Sequence, residues 1–182
     1  EKEIIKPFLK DKRFKYYEKE NGGLSDARNY GVGYAAGDYI IYVDSDDYIE
    51  KDLLTKINNL VETIDYDVVR YNLNVVSEDG EIIFKNDDID LTYDSIKGIL
   101  LNKYVEPAWL YAYKKDFYLK NKFTFPKGKI HEDFYLTLLI LDKAKNIGVI
   151  NYNGYNYVQR GTGIMGNKAY EKVKIRVEDF IS

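Results

Sequence analysis

Apolar positions along the chain alternate between helical and strand spacing, and the changes between the two divide it into elements. Residues 1 to 10 read as the end of a helix, and RFKYYEK (13 to 19) as a short strand entering a turn at Asn21, Gly22 and Gly23. From Ser25 to Ala36 the small and apolar positions Ala27, Gly31, Tyr34 and Ala35 recur at helical spacing, with Gly37 where a helix end favours it. So many small residues predict a close neighbour for that helix. DYIIYV (38 to 43) is apolar on both faces, as an interior strand of a parallel sheet is. Leu53, Leu54, Ile57, Leu60 and Val61 mark an amphipathic helix, and DVVRYNLNVV (67 to 76) with EIIF (81 to 84) a hairpin-like pair.

The second half is less regular. Residues 93 to 102 read as helix, PAWLYAY (107 to 113) as extended and KKDFYLKN (114 to 121) as a short helix. FPKGKI (125 to 130) is a loop, leading into a helix over HEDFYLTLLILDKA (131 to 144) with acidic residues in its first turn. NIGVI and GYNYVQR suggest two further strands, and 168 to 181 a last helix. Strands alternating with helices predict an α/β fold, a mostly parallel sheet flanked by helices, in a single domain over 1 to 182.

Composition narrows the chemistry. The 182 residues are 45% hydrophobic and 15% aromatic, enough for a sizeable core. The 27 basic and 30 acidic residues leave a net charge of -3, with no basic field of the kind that binds nucleic acid through phosphates. No apolar run reaches the roughly 18 to 20 residues that cross a bilayer, and no secretory leader is visible, so the expectation is a soluble cytoplasmic chain. Zero Cys removes disulfides and thiolate sites. The 19 Tyr read as fillers of half-buried faces.

IIYVDSDDYI (40 to 49) sets Asp44, Asp46 and Asp47 at the end of an apolar strand. In an open α/β sheet ligands bind beyond the carboxyl ends of strands. One carboxylate would suffice to cap the next helix, whereas three in close sequence repel unless a cation or a ligand's donors relieve them. A calcium loop of the EF-hand type is excluded, because Ile49 and Thr55 stand where it needs Gly and Glu. An aspartyl phosphatase also begins Asp-x-Asp after a strand, but no Gly-Thr follows here. The remaining reading is Mn²⁺ or Mg²⁺ held by one or two carboxylates and completed by substrate phosphates.

ENGGLSDARNYGVGYAAGDYIIYVDSDDYIE (20 to 50) resembles the central signature of bacterial family 2 glycosyltransferases of the GT-A fold: Asn-Gly-Gly, Ala-Arg-Asn in a small-residue helix, Gly-Asp-Tyr-Ile and Asp-x-Asp, in order. Trp109, FPKGKIHED (125 to 133) and GYNYVQRGTGI (154 to 164) extend the likeness over essentially the whole chain. The resemblance implies transfer of a sugar, with inversion, from a nucleotide-diphosphate donor such as a UDP-sugar to a saccharide or lipid-linked acceptor in surface polysaccharide synthesis. It implies Asp46 as ligand of the metal on the diphosphate, Asp44 as a contact to the donor ribose or sugar side and a second metal ligand, Asp47 as their support, and Asn21, Gly22, Gly23, Arg28, Asn29 and Arg160 with these three against the donor. Asp133 matches the base that deprotonates the acceptor hydroxyl, beside Glu132. Trp109 and His131 are acceptor-side candidates. Each has a plainer reading: Gly22 and Gly23 as a tight turn, Glu132 and Asp133 as charges on a helix start, Trp109 as core, Arg160 as surface, His131 as a loop residue.

The resemblance also implies a departure. The family opens with a strand, helix and second strand that recognise the nucleotide base, and the chain begins at what resembles the helix after them. The expectation is a GT-A unit lacking its first part, inactive alone. A truncated sheet edge would favour self-association, and the intact protein would make peripheral contact with the inner face of the membrane. A non-catalytic sugar-nucleotide or carbohydrate module is the alternative, though such a module tends to lose one of the two acidic elements and both stand here.

Overall fold

The computed structural model describes residues 2–85, 107–129 and 132–160. The helices are α1 (Lys2–Ile5), α2 (Gly23–Val32), α3 (Leu53–Val61), α4 (Lys115–Lys120) and α5 (Glu132–Lys143). The strands are β1 (Tyr39–Ile41), β2 (Tyr48–Ile49), β3 (Val68–Val76), β4 (Ile82–Lys85), β5 (Tyr111–Lys114) and β6 (Ile147–Val158). The predicted helices at 93 to 102 and 168 to 181, and His131, lie outside the described residues.

One sheet runs β1-β5-β3-β6-β2, with β4 pairing β3. β3 lies at its centre, buried on both faces: Val68, Val69, Arg70, Tyr71, Asn72, Asn74 and Val76 are all buried. It runs parallel to β6, from Val68 opposite Ile147 to Val76 opposite Val158. Every other pairing among the described residues is antiparallel. The sheet is mixed and flanked by helices, as the sequence predicts, but the expectation of mostly parallel strands is corrected. Alternating helices and strands give parallel neighbours only when consecutive strands lie side by side. Here β1 pairs β5 and β2 pairs β6, so distant segments return in the opposite sense.

Three local expectations also change. RFKYYEK forms no strand; Phe14 and Tyr17 are exposed, and an extended segment without a ladder partner keeps its backbone for water. NIGVI and GYNYVQR join in the single strand β6, whose register against β3 slips on either side of Asn72. Of the small positions predicted to pack, Ala27 and Gly31 are exposed, and a Cβ on Gly31 would touch nothing within 4 Å, whereas Ala35, beyond the end of α2, packs against the core. The close-packed positions of α2 are Ser25 and Arg28 instead.

The core gathers Leu53 and Ile57 of α3, Val68, Val69 and Tyr71 of β3, Tyr111 and Tyr113 of β5, Leu136, Ile140 and Leu141 of α5, and Tyr155 of β6. α3 presses on β6 so closely that a Cβ on Gly154 would lie 2.4 Å from Leu53 Cδ1. That glycine is required by contact, not by backbone angle.

Candidate functional site

The turn after β1 delivers the acidic cluster. The Asp47 N–H donates to the Asp44 carbonyl at 3.0 Å, closing a tight turn that carries Asp44, Asp46 and Asp47. Asp44 accepts from Arg28 Nη2 at 2.8 Å. Asp47 Oδ2 accepts from the Tyr155 hydroxyl at 2.8 Å and its Oδ1 from the Val158 N–H at 2.9 Å, both on β6. Asp46 is exposed and makes no hydrogen bond or ion pair among the described residues. Burial raises the Asp47 carboxyl above the ordinary carboxylate range, the charges of Asp46 and Asp44 adding to it against the two donors.

Arg28 joins this turn to the second acidic segment. It is 8% exposed, and its Nη1 donates to Glu132 Oε1 at 2.8 Å. The guanidinium also lies over the Phe125 and Tyr42 rings, 5.2 and 5.8 Å from their centroids. A buried cation bonded to two carboxylates and walled by aromatic faces is fixed in place. Burial opposes its charge, but Asp44, Glu132 and Asp133 outweigh that and raise its pKa. Glu132 is itself shifted upward by burial, with Asp133 and Asp44 reinforcing the shift and Arg28 opposing it.

Asp133, partly buried at the start of α5, accepts from the Ala108 N–H at 3.3 Å. The neighbouring Trp109 is 8% exposed and stacks on Tyr155, ring centroids 4.2 Å apart and planes within 14°. Trp109 therefore lies in the core rather than on an open acceptor face, while its neighbour touches the candidate base.

Asn29 bonds the Phe125 backbone at both ends of its carboxamide, donating to the carbonyl at 2.9 Å and accepting from the N–H at 2.8 Å. Ser25 donates to the Pro126 carbonyl at 2.7 Å, so α2 holds the loop leading to α5. Asn21 accepts from the Gly23 N–H at 3.1 Å, and Gly23 sits at φ +82°, a conformation natural to glycine. A Cβ on Gly22 would fall 2.2 Å from Asp26 Oδ2, and Asp26 pairs with Lys19 and with Lys127. Arg160 is exposed, two residues past Val158.

Thus Arg28, Asp44, Asp47, Glu132 and Asp133 meet in one place, with Asp46 at its exposed edge. Asn21 to Gly23 and Asn29 support the segments around it. Tyr155, Tyr42 and Ser25 carry contacts that no reading of single positions selects; for Tyr155 the signal is the GYNYVQR segment as a whole. Among the described residues no three carboxylate or imidazole groups gather closely enough to hold a metal by themselves.

The sequence pattern described as "Glycosyl transferase family 2" matches residues 1–132. The chain belongs to glycosyl transferase family 2. Glycosyltransferase GlyA of Streptococcus pneumoniae serotype 4 is 30% identical over 175 residues, 88% of this chain and 25% of that protein. The poly(ribitol-phosphate) beta-glucosyltransferase of Bacillus spizizenii is 32% identical over 170 residues, 89% of this chain and 26% of that protein. The crystal structure of S. aureus TarS 1–349 in complex with UDP-GlcNAc superposes with a TM-score of 0.77 at 20% identity, covering 99% of this chain and 54% of that one. That likeness shows the GT-A fold. This family 2 chain spans about a quarter of the length of the two curated relatives. No helix among the described residues is long and apolar enough to cross a membrane.

Proposed function

We propose that the protein to which this chain belongs transfers a sugar from a nucleotide-diphosphate donor, a UDP-sugar, to a saccharide or lipid-linked acceptor, with inversion. The observation that carries the reading is the Arg28 bridge. It joins Asp44 and Glu132, 16 and 104 positions away in sequence, so that the turn read as donor-side and the helix start read as acceptor-side are held against one another. The names of the relatives and the UDP-GlcNAc held by TarS agree with this substrate class.

Sugar transfer needs neutralisation of the charge growing on the leaving diphosphate and a base for the acceptor hydroxyl. Mn²⁺ or Mg²⁺ commonly binds through one or two carboxylates plus substrate phosphates, and Asp46, exposed beside Asp44, fits that mode. When bound there, the ion would supply Lewis-acid stabilisation of the leaving group. Arg28 orients Asp44. Of the two acids at the start of α5, Glu132 is committed to Arg28, and we assign the base to Asp133.

In the intact protein, Asp133→Asn is expected to lower nucleotide-diphosphate release from the preferred nucleotide sugar by at least about a hundredfold. Donor affinity by calorimetry should be unchanged, and chelation should abolish turnover until Mn²⁺ or Mg²⁺ is restored. A wild-type protein that releases no nucleotide diphosphate from any sugar nucleotide, or a variant that turns over normally, overturns the assignment.

A further inference from the structure

We infer that Tyr155 is a positioning residue for the donor site, a rigid post on β6 that holds the acidic turn in place and ties it, through Trp109, to the segment bearing the candidate base. The inference rests on the reading of the acidic turn as the donor site.

The geometry is specific to this tyrosine. Its hydroxyl accepts from the Asp44 N–H at 3.1 Å and donates to Asp47 Oδ2 at 2.8 Å, so one oxygen ties together the two ends of the turn. Asp46 lies between those ends with no internal partner among the described residues, and the direction of its carboxylate is set by the turn that carries it. The phenol is in turn immobilised. Tyr155 is fully buried, and its ring lies against Trp109 at 4.2 Å. Trp109 is pinned by the Tyr71 hydroxyl, which donates to its carbonyl at 2.6 Å, and the Ala108 N–H beside it reaches Asp133. A short run of stacked rings and hydrogen bonds therefore connects the donor-side turn to Asp133, independently of the Arg28 bridge. Two separate ties between the same two segments hold their relative orientation as well as their distance.

Tyr155→Phe keeps the ring and its stack while removing the hydroxyl. Tyr157→Phe is the control, because Tyr157 also stacks on Trp109, 5.9 Å away, and its hydroxyl bonds neither aspartate among the described residues. In the intact protein, Tyr155→Phe is expected to raise the donor KM and the Mn²⁺ concentration for half-maximal activity by about tenfold, the cost of one hydrogen bond to a charged group. Its kcat at saturating donor and metal should stay within about twofold, as when an interaction is made equally in ground and transition states. Tyr157→Phe should change neither. An unchanged KM and metal requirement in Tyr155→Phe, or a kcat that falls in proportion to melting temperature in both variants, overturns the positioning role. A wild-type protein that binds no nucleotide diphosphate by calorimetry overturns the donor-site reading, and this inference with it; normal wild-type binding with an unaffected Tyr155→Phe sinks the inference alone.

Discussion

At Arg28 one guanidinium, 8% exposed, meets two carboxylates whose side chains are 28% and 10% exposed, so removing it strands the more deeply buried Glu132 without its counter-charge. Breaking a buried pair from one side costs about 3 to 5 kcal/mol. Arg28→Ala is therefore expected to lower unfolding free energy by about 3 kcal/mol, and adding Glu132→Gln should recover part of it. A urea titration in which the two losses simply add would show that the bridge contributes little. Asp47 behaves differently, since burial first, then Asp46 and Asp44, raise its pKa. An acid whose folded pKa exceeds its unfolded value holds its proton more tightly when folded, so its contribution to stability falls as pH rises through that interval and stays lower above it. Asp47→Asn has no such step. Without metal, the wild type should gain stability relative to Asp47→Asn as pH is lowered from about 7 to about 4; a difference that does not vary with pH would refute this. The run of Asp44, Asp46 and Asp47 stood out in the sequence by type and spacing, whereas Arg28 and Asp133 were marked only by the resemblance of their segments to the family. Tyr155 did not stand out, because nothing local distinguishes it from the other tyrosines among 19.

Between α2 and the loop before α5, three hydrogen bonds from two side chains do the fastening: two from Asn29 to the backbone of Phe125 and one from Ser25 to Pro126. Asn29→Ala would leave the Phe125 N–H and carbonyl, both part-buried, without partners, a loss of about 1 to 3 kcal/mol. Amide exchange at Phe125 should accelerate well beyond that of the core strands, and unchanged protection there would contradict the clamp. The Ala-Arg-Asn segment announced a helix, yet its small residues suggested the wrong packing face. Spacing finds a helix but does not say which side its neighbour takes when polar side chains, not methyls, make the contact. β6 gave the opposite difficulty. The stretch from Asn151 to Asn153 separated the two predicted strands. In the fold those asparagines bond across to Asn72 and Asn74 on β3 at 2.9 and 3.0 Å, so the polar stretch is internal pairing and the strand continues. Local pattern cannot separate a turn from a ladder whose partner lies 79 positions away.

Across the whole molecule, the parallel β3 and β6 pair is the frame on which both acidic segments depend. β6 passes under α3 at Gly154, brings Tyr155 and Val158 to Asp47, and ends beside the site. This coupling of core to chemistry was invisible in sequence. It depends on which strands become neighbours, and alternating helices and strands mispredicted most of those directions. It has a measurable consequence at Gly154, whose missing side chain admits Leu53, itself fully buried. Gly154→Ala would press a methyl to 2.4 Å from Leu53 Cδ1 and to 3.0 Å from its Cγ. Either the leucine turns or the strand shifts, and overpacking of this kind costs about 1 to 3 kcal/mol. If the strand yields, the residue displaced is Tyr155, the next in the chain, and the donor KM should rise together with the loss of stability. If only Leu53 yields, stability should fall while KM holds. The arrangement around the turn predicts the first outcome, because α3 is anchored by Ile57 as well as Leu53 and has little room to move. Adding Leu53→Ala should then restore the donor KM while leaving a cavity penalty in stability, so that unfolding and kinetics part company. A Gly154→Ala protein with wild-type KM, or a double variant whose KM fails to recover, would show that β6 does not transmit the packing of α3 to the donor site.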